Sequence, residues 1–142
     1  MLIAIIGENC VGKSTLAKKL NEILKGTIFS GKDYLRLEKS PSAALATFKN
    51  LLKASVTGEN ILYIVTEKDH LALLPEGAIK IVLTAHLDVI KERFKERMNG
   101  NLPTPVEKML ETKHGMYDTL ECDLKLDANY TLEEIVHKLN LT

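Results

Sequence analysis

One short segment near the N-terminus constrains the fold of this chain more than any other. Five apolar residues, Leu2–Ile6, end at Gly7, and apolar residues at helical spacing begin soon after Ser14. An unbroken apolar run of this length is typical of a strand buried on both faces, and the change of spacing indicates a helix. The sequence therefore predicts a strand, a glycine-containing loop and a helix in direct succession.

The loop itself, residues 7–15, matches the pattern G-x-x-x-x-G-K-[ST] at every fixed position. Glycines let successive backbone N–H groups point at a phosphate, and the positive end of the helix dipole acts on the same anion. In such a loop the lysine reaches the β- and γ-phosphates, and the hydroxyl after it binds Mg²⁺. The pattern thus predicts ATP and Mg²⁺ as cofactors, with Lys13 catalytic and Ser14 the metal ligand. The whole predicted nucleotide-binding set is Gly7, Glu8, Asn9, Cys10, Val11, Gly12, Lys13, Ser14 and Thr15.

The rest of the chain alternates between predicted strands and predicted helices. Apolar runs predict strands at 27–30, 61–65, 79–83 and 124–126. Periodic segments predict helices at 14–25, 41–53, 88–98, part of 106–120 and 131–139, with Gly26 as the cap of the first. This order predicts an α/β fold of three layers, α/β/α, around a five-stranded parallel sheet. The length of 142 residues leaves room for a single domain, 1–142.

Composition excludes several functional classes. The chain has 19 basic and 19 acidic residues and therefore no net charge, which argues against a nucleic-acid partner. Two cysteines are too few for a disulfide scaffold. The N-terminal apolar run is too short for a signal peptide or a membrane span. We expect a cytoplasmic protein with no membrane partner, acting as a monomer or homodimer.

The phosphate loop and three later segments, in this order along the chain, resemble the nucleoside monophosphate kinase-like group of small P-loop kinases. This group includes the cytidylate, adenylate, shikimate and gluconate kinases. The later segments are 30–36, 81–97 and 117–136. The resemblance implies a P-loop NTPase fold and an ATP-dependent kinase (a phosphotransferase) whose acceptor is a nucleotide or nucleoside. It also implies a short lid at about 98–116.

The resemblance places acceptor-binding residues directly after the second strand, where this chain has Asp33 and Arg36. A carboxylate there would act as general base toward an acceptor hydroxyl or hold Mg²⁺ through water; alternatively, Asp33 only caps the following helix. Arg36 would bind the acceptor's phosphate or carboxylate, and a surface salt bridge is its equally plausible alternative. Both residues are therefore candidates for substrate binding, and Asp33 also for catalysis.

Arg93 and Arg97 lie four residues apart and so share one helix face, where like charges repel by about 0.2–0.5 kcal/mol. A polyanion between them and Lys13 would turn this repulsion into attraction. The resemblance makes them catalytic residues that close over the transferring phosphate. The alternative is a solvated face on which Glu92 and Glu96 neutralise both arginines.

The sequence departs from these kinases after the third strand, where it continues Thr66-Glu67-Lys68-Asp69 in place of an Asp-Gly pair or a glycine-rich turn. Glu67 and Asp69 are both candidates for assisting Mg²⁺. Two alternative functions follow: a kinase of a small non-nucleotide metabolite, or a nucleotide-binding module without catalysis. The isolated His114 is expected to be a surface residue.

Overall fold

A sheet of five parallel strands forms the centre of the molecule, in a computed structural model that describes residues 1–141. The strands are β1 (Leu2–Ile6), β2 (Thr27–Ser30), β3 (Ile61–Val65), β4 (Ile79–Leu83) and β5 (Leu124–Leu126). Their order is β2-β3-β1-β4-β5, and every neighbouring pair is parallel. β1 lies in the middle, which explains why all five of its residues are apolar and buried.

Helices cover both faces of the sheet. They are α1 (Lys13–Leu24), α2 (Pro41–Ser55), α3 (Leu87–Arg97), α4 (Thr104–Lys113) and α5 (Leu132–Leu139). Ile3 and Ile5 of β1 pack into one apolar cluster with α1, α3, α4 and α5, whereas its other three residues pack into a second cluster with α2. The predicted three-layer α/β/α fold with five parallel strands is confirmed.

The end of α1 differs from the prediction. Lys25, with φ 52°, takes the left-handed conformation expected of a capping glycine. Gly26 is required for another reason: a Cβ there would overlap the carbonyl oxygen of Asn60, which lies just before β3. The Asn21 side chain bonds both the N–H and the carbonyl of Gly26, at 2.8 and 3.1 Å. The predicted cap at Gly26 was therefore wrong, and the glycine instead permits close packing at the start of β2.

The segment between α3 and β5 contains one helix, α4. Residues 98–103 connect α3 to α4, whose Leu110 is buried in the core. The helix ends at Lys113, and the run of turns that begins at His114 includes Gly115, with φ 82°. Two 3₁₀ turns, Asp33–Leu37 and Lys68–Leu73, were not predicted. Thr142, the last residue of the predicted single domain, lies outside the described residues.

All five strands end at the same edge of the sheet, and the loops that follow them meet there. In open parallel sheets this edge is where ligands bind, at the point where successive connections leave in opposite directions. That point is β1, which pairs with β3 on one side and β4 on the other. Among the helices of residues 1–141, none is long and apolar enough to cross a membrane.

Candidate functional site

The phosphate loop lies between β1 and α1 and touches both strands beside β1. The Gly7 N–H donates to the carbonyl of Val65 on β3 at 3.1 Å, and a Cβ on Gly7 would lie 2.6 Å from the carbonyl oxygen of Leu83 on β4. Only glycine fits this gap. Cys10 and Gly12 have φ of 62° and 97°, so the chain curls back before α1 begins. This backbone shape is the one that the motif predicts for a phosphate cradle.

Lys13 folds back across this loop. Its Nζ donates to the carbonyl oxygen of Glu8 at 2.6 Å, and the residue is only 7% exposed. Burial lowers the pKa of Lys13 from 10.5 to about 8; the charge of Arg97 acts in the same direction, whereas Cys10, Glu8 and Glu67 oppose the shift. No carboxylate of residues 1–141 forms an ion pair with it. A polyanion placed here would therefore stabilise the charged lysine strongly.

Two cavities adjoin the loop. The smaller, of about 210 Å³, reaches toward β2 and β3 and is lined by Asn9, Cys10, Gly12, Lys13, Ser14, Thr15, Ser30, Ile64, Thr66 and Arg97. The larger, of about 550 Å³, lies toward β5 and is lined by Cys10, Val11, Gly12, Thr15, Arg93, Glu96, Arg97, Ala128 and Tyr130. The two share part of the phosphate loop and Arg97. Sequence analysis did not single out Ala128 or Tyr130, because only the fold brings the loop after β5 beside α1.

Arg93 and Arg97 both lie at the phosphate loop. Arg93 Nη1 donates to the carbonyl oxygen of Cys10 at 3.0 Å, and its side chain lines the larger cavity. Arg97 lines both cavities and is close enough to Lys13 to lower its pKa. Neither arginine forms an ion pair with a carboxylate of residues 1–141. The geometry therefore favours a phosphate-facing role over a neutralised solvated face.

Asp33 and Arg36 lie on the β2 side and line neither cavity. Asp33 Oδ2 accepts a hydrogen bond from the Ser30 N–H at 2.9 Å, so one carboxylate oxygen is used within the turn, and the residue is exposed. Ser30 itself lines the smaller cavity. The Arg36 guanidinium lies 4.9 Å from the centre of the Phe29 ring, a cation–π contact and not the surface salt bridge that was the alternative to acceptor binding.

Glu67 lies nearer to the phosphate loop than Asp69 does. Its charge raises the pKa of Lys13, and its carboxylate lies 3.5 Å from Lys113 Nζ, whereas Asp69 lies in the 3₁₀ turn Lys68–Leu73. No group of three or more His, Cys, Asp or Glu side chains that could hold a metal occurs within residues 1–141. Mg²⁺ in nucleotide sites needs only one or two protein ligands beside the phosphates, and the exposed Ser14 on the cavity wall fits that requirement.

The residues between α4 and β5 form a contact that sequence analysis missed. We call residues 113–117 the strap. Glu8 Oε2 accepts from the Gly115 N–H at 3.0 Å, and Glu8 Oε1 lies 3.0 Å from His114 Nδ1. The Tyr117 hydroxyl donates to the carbonyl of Thr66 at 2.5 Å, and burial raises the pKa of Tyr117 to about 12. His114 is exposed, as expected, but it also contacts Glu8, which the sequence did not indicate.

Comparison with known proteins gives a similarity of structure alone. No family model matches the sequence, and no curated protein matches it. The tunicamycin resistance protein of Deinococcus radiodurans superposes with a TM-score of 0.67 at 20% identity, over 99% of this chain and 96% of that one. The fold is that of the small P-loop kinases. Two further structures have the same fold. Deoxyadenosine kinase of M. mycoides superposes with a TM-score of 0.61 at 19% identity, over 99% of this chain and 100% of that one. Gluconokinase of Sinorhizobium meliloti 1021 superposes with a TM-score of 0.61 at 15% identity, over 96% of this chain and 87% of that one.

At such low identities this similarity establishes the fold and nothing finer. The P-loop kinase fold that the resemblance implied is confirmed. The phosphate loop, the two cavities and the arginines are features of this chain's own geometry, and its chemistry has to be argued from them.

Proposed function

We propose that this protein is an ATP- and Mg²⁺-dependent kinase that transfers the γ-phosphoryl group to a small acceptor. The observation that carries the proposal is the buried Lys13 at the centre of a glycine cradle: it lines the smaller cavity, and no carboxylate of residues 1–141 forms an ion pair with it. Burying a charge without an ion pair costs stability, and groups perturbed in this way are typical of functional sites, where a ligand of opposite charge supplies the missing partner.

The donor would occupy the larger cavity and the phosphate loop. A nucleoside would lie between Arg93 and the loop after β5, where Ala128 and Tyr130 supply apolar surface and an aromatic ring. Its phosphates would follow the loop backbone to Lys13 and Arg97. Mg²⁺, when bound through Ser14 and the phosphates, would neutralise part of the charge of the triphosphate.

Transfer then requires positioning and charge stabilisation more than covalent chemistry from the protein. An acceptor oxygen in the smaller cavity attacks the γ-phosphorus, the bond from that phosphorus to the β–γ bridging oxygen breaks, and ADP leaves. Lys13 and Arg97 stabilise the negative charge on the moving phosphoryl group. Asp33 does not line this cavity, but its turn is bonded to Ser30, which does. A hydroxyl acceptor that extends from the cavity past Ser30 would pass its proton to the Asp33 carboxylate oxygen that is free of the Ser30 bond.

The leading acceptor class is a nucleoside or nucleotide. The Arg36 side chain would then leave Phe29 and bind an anionic group of the acceptor. One observation favours the second candidate, a small non-nucleotide metabolite. Tyr34, Phe48 and Tyr63 pack against one another, with ring centres 5.0 to 5.2 Å apart, so these aromatic residues are not free to stack on an acceptor base.

The experiment is transfer of label from γ-labelled ATP, screened across nucleosides, nucleoside monophosphates, shikimate-like acids and sugars. Lys13→Ala should lower turnover by about 10²–10³-fold, the range seen when one preorganised donor is removed. Lys18→Ala, which removes an exposed lysine of the same helix, is the matched control and should match the wild type. Near-normal transfer by folded Lys13→Ala would contradict the proposal, and tight ATP binding without transfer to any acceptor would favour a non-catalytic module.

Asp33→Asn separates the two acceptor classes. A hydroxyl needs a base, and loss of one lowers the rate by about 10²–10⁴-fold, whereas a monophosphate is already a nucleophile. We expect a large loss of kcat with a hydroxyl acceptor and a small one with a phosphate acceptor. An equal loss with both would contradict the role of Asp33 as a general base.

A further inference from the structure

The Glu8 side chain forms a contact that phosphate binding does not require, because the phosphate loop acts through its backbone. Glu8 is only 8% exposed, and both of its carboxylate oxygens are occupied by the strap. No lysine or arginine of residues 1–141 forms an ion pair with it. A buried carboxylate is costly unless such hydrogen bonds hold it, so the contact with the strap is needed to keep Glu8 in place.

The strap is shaped to accept this contact. Gly115 has φ 82°, and a Cβ there would lie 2.9 Å from Asp118 Oδ2, so a glycine is required to present this N–H to Glu8. Two further contacts, Lys113 with Glu67 and the Tyr117 hydroxyl with the carbonyl of Thr66, fix the strap to the residues after β3. The strap therefore connects the phosphate loop with the wall of the smaller cavity, which Thr66 lines.

Glu8 also contacts Lys13, through a different group. Its carbonyl oxygen accepts from Lys13 Nζ, while its carboxylate holds residues that lie 106 and 107 positions further along the chain. When phosphates fill the loop, Lys13 must turn from this carbonyl toward them. The bound phosphates then anchor the loop backbone through its N–H groups, and a loop held in this way keeps the Glu8 carboxylate in position for the strap.

We propose that Glu8 is a positioning residue that couples occupancy of the phosphate loop to the order of the strap. The inference rests on the proposed function, namely that this loop binds ATP. Coupling of this kind is reciprocal: if ATP orders the strap, a docked strap tightens the binding of ATP. Glu8 thereby links the donor phosphates to the wall that faces the acceptor.

The test combines amide exchange with nucleotide affinity. In the wild type, saturating ATP should slow exchange of the Gly115 amide at least about fivefold, the lower end of typical couplings between sites. Glu8→Ala should abolish this slowing and raise the Kd for ATP about tenfold, which corresponds to ~1.4 kcal/mol. Glu8→Gln should restore part of both effects, because its amide oxygen still accepts from the Gly115 N–H.

His114→Ala keeps the test decisive if Glu8→Ala does not fold, since His114 is partly exposed and its loss leaves the Glu8–Gly115 bond intact. It should weaken both effects in the same direction. Glu111→Ala is the control: it removes an exposed ion pair between Lys91 and Glu111 on the helix that leads to the strap, and it should change neither readout.

The outcomes separate the inference from the proposed function. Failure of the wild type to bind ATP would contradict the proposed function itself. ATP binding that leaves exchange of the strap unchanged would overturn the coupling alone. The coupling would also be overturned if folded Glu8→Ala and His114→Ala both kept the wild-type effect of ATP on strap exchange. Glu8 would then serve only to stabilise the fold.

Discussion

Lys13 places a charge where the folded protein has little to solvate it, and this has a consequence for stability as well as for catalysis. Burial lowers the pKa of Lys13 to about 8 in the folded state, whereas an unfolded lysine has a pKa of 10.5. Below pH 8 both states carry the proton, so the full penalty of burying the charge is present. Between pH 8 and 10.5 the unfolded state binds more protons, and stability therefore rises with pH.

The rise of stability with pH gives a prediction for Lys13→Met in the absence of nucleotide. The contribution of Lys13 to the free energy of unfolding should grow by about 2 kcal/mol between pH 7 and 9.5, and the variant should lack this gain. Urea unfolding at a series of pH values measures this gain as the difference in free energy of unfolding between wild type and variant. The contributions of the other titrating groups cancel in that difference. Lys18→Met, on the exposed face of α1, should follow the wild type; parallel profiles for Lys13→Met and wild type would contradict the burial argument.

At the scale of elements, the end of α1 has two neighbouring positions that both favour glycine, for different reasons, and only the second of them has one. Lys25 holds a left-handed conformation that disfavours a side chain, while Gly26 occupies a space that excludes one. The two hydrogen bonds between Asn21 and Gly26, and the one that the Asn60 side chain donates to the carbonyl of Leu24, hold this junction against the start of β3.

Two substitutions at this junction should change stability in opposite directions. Lys25→Gly should stabilise the protein by about 0.5–1 kcal/mol, because it relieves the left-handed strain. Gly26→Ala should destabilise it by about 2 kcal/mol or more, because the new methyl group overlaps the backbone of Asn60. Thermal unfolding followed by circular dichroism measures both, and a stabilising Gly26→Ala would show that the junction is free to relax.

Local patterns predicted the elements well and their contacts poorly. β1, the phosphate loop and α1 followed from apolar spacing and glycine positions, which depend on neighbours a few residues away. The predicted cap at Gly26 was wrong because the glycine is required by close packing against Asn60, which precedes β3 and is distant in sequence. Arg93 was singled out, but its bond to the carbonyl of Cys10, 83 residues away, depends on how α3 packs. The contact between Glu8 and His114 likewise could not be predicted, because it depends on where α4 places the strap.

At the scale of the whole molecule, the two apolar clusters lie on opposite faces of one sheet and share its central strands. Residues of β1, β3 and β4 contribute alternately to each cluster. Loss of either face would expose the apolar side of the same strands, so we expect the faces to unfold together.

Tyrosines report on both faces, because Tyr63 and Tyr117 belong to one cluster and Tyr130 packs against the other. In protein labelled with fluorotyrosine, urea titration followed by ¹⁹F NMR should give the same midpoint for the signals of all four tyrosines, these three and Tyr34. A midpoint shared by all signals would also support the prediction of a single domain. Separate midpoints for Tyr130 and Tyr117 would show two units that unfold independently.

The strand order has a consequence for how such a protein can diversify. The chain builds the β2–β3 side of the sheet edge from one continuous stretch, residues 27–73, and the β4–β5 side from the stretch that follows it. Insertions or exchanges within 31–60 therefore reshape one flank of the phosphate loop while leaving the pairing of β4 and β5 untouched. If the protein transfers a phosphoryl group as proposed, then under natural selection or in the laboratory new acceptors can be acquired by altering one contiguous stretch, with the donor side inherited unchanged.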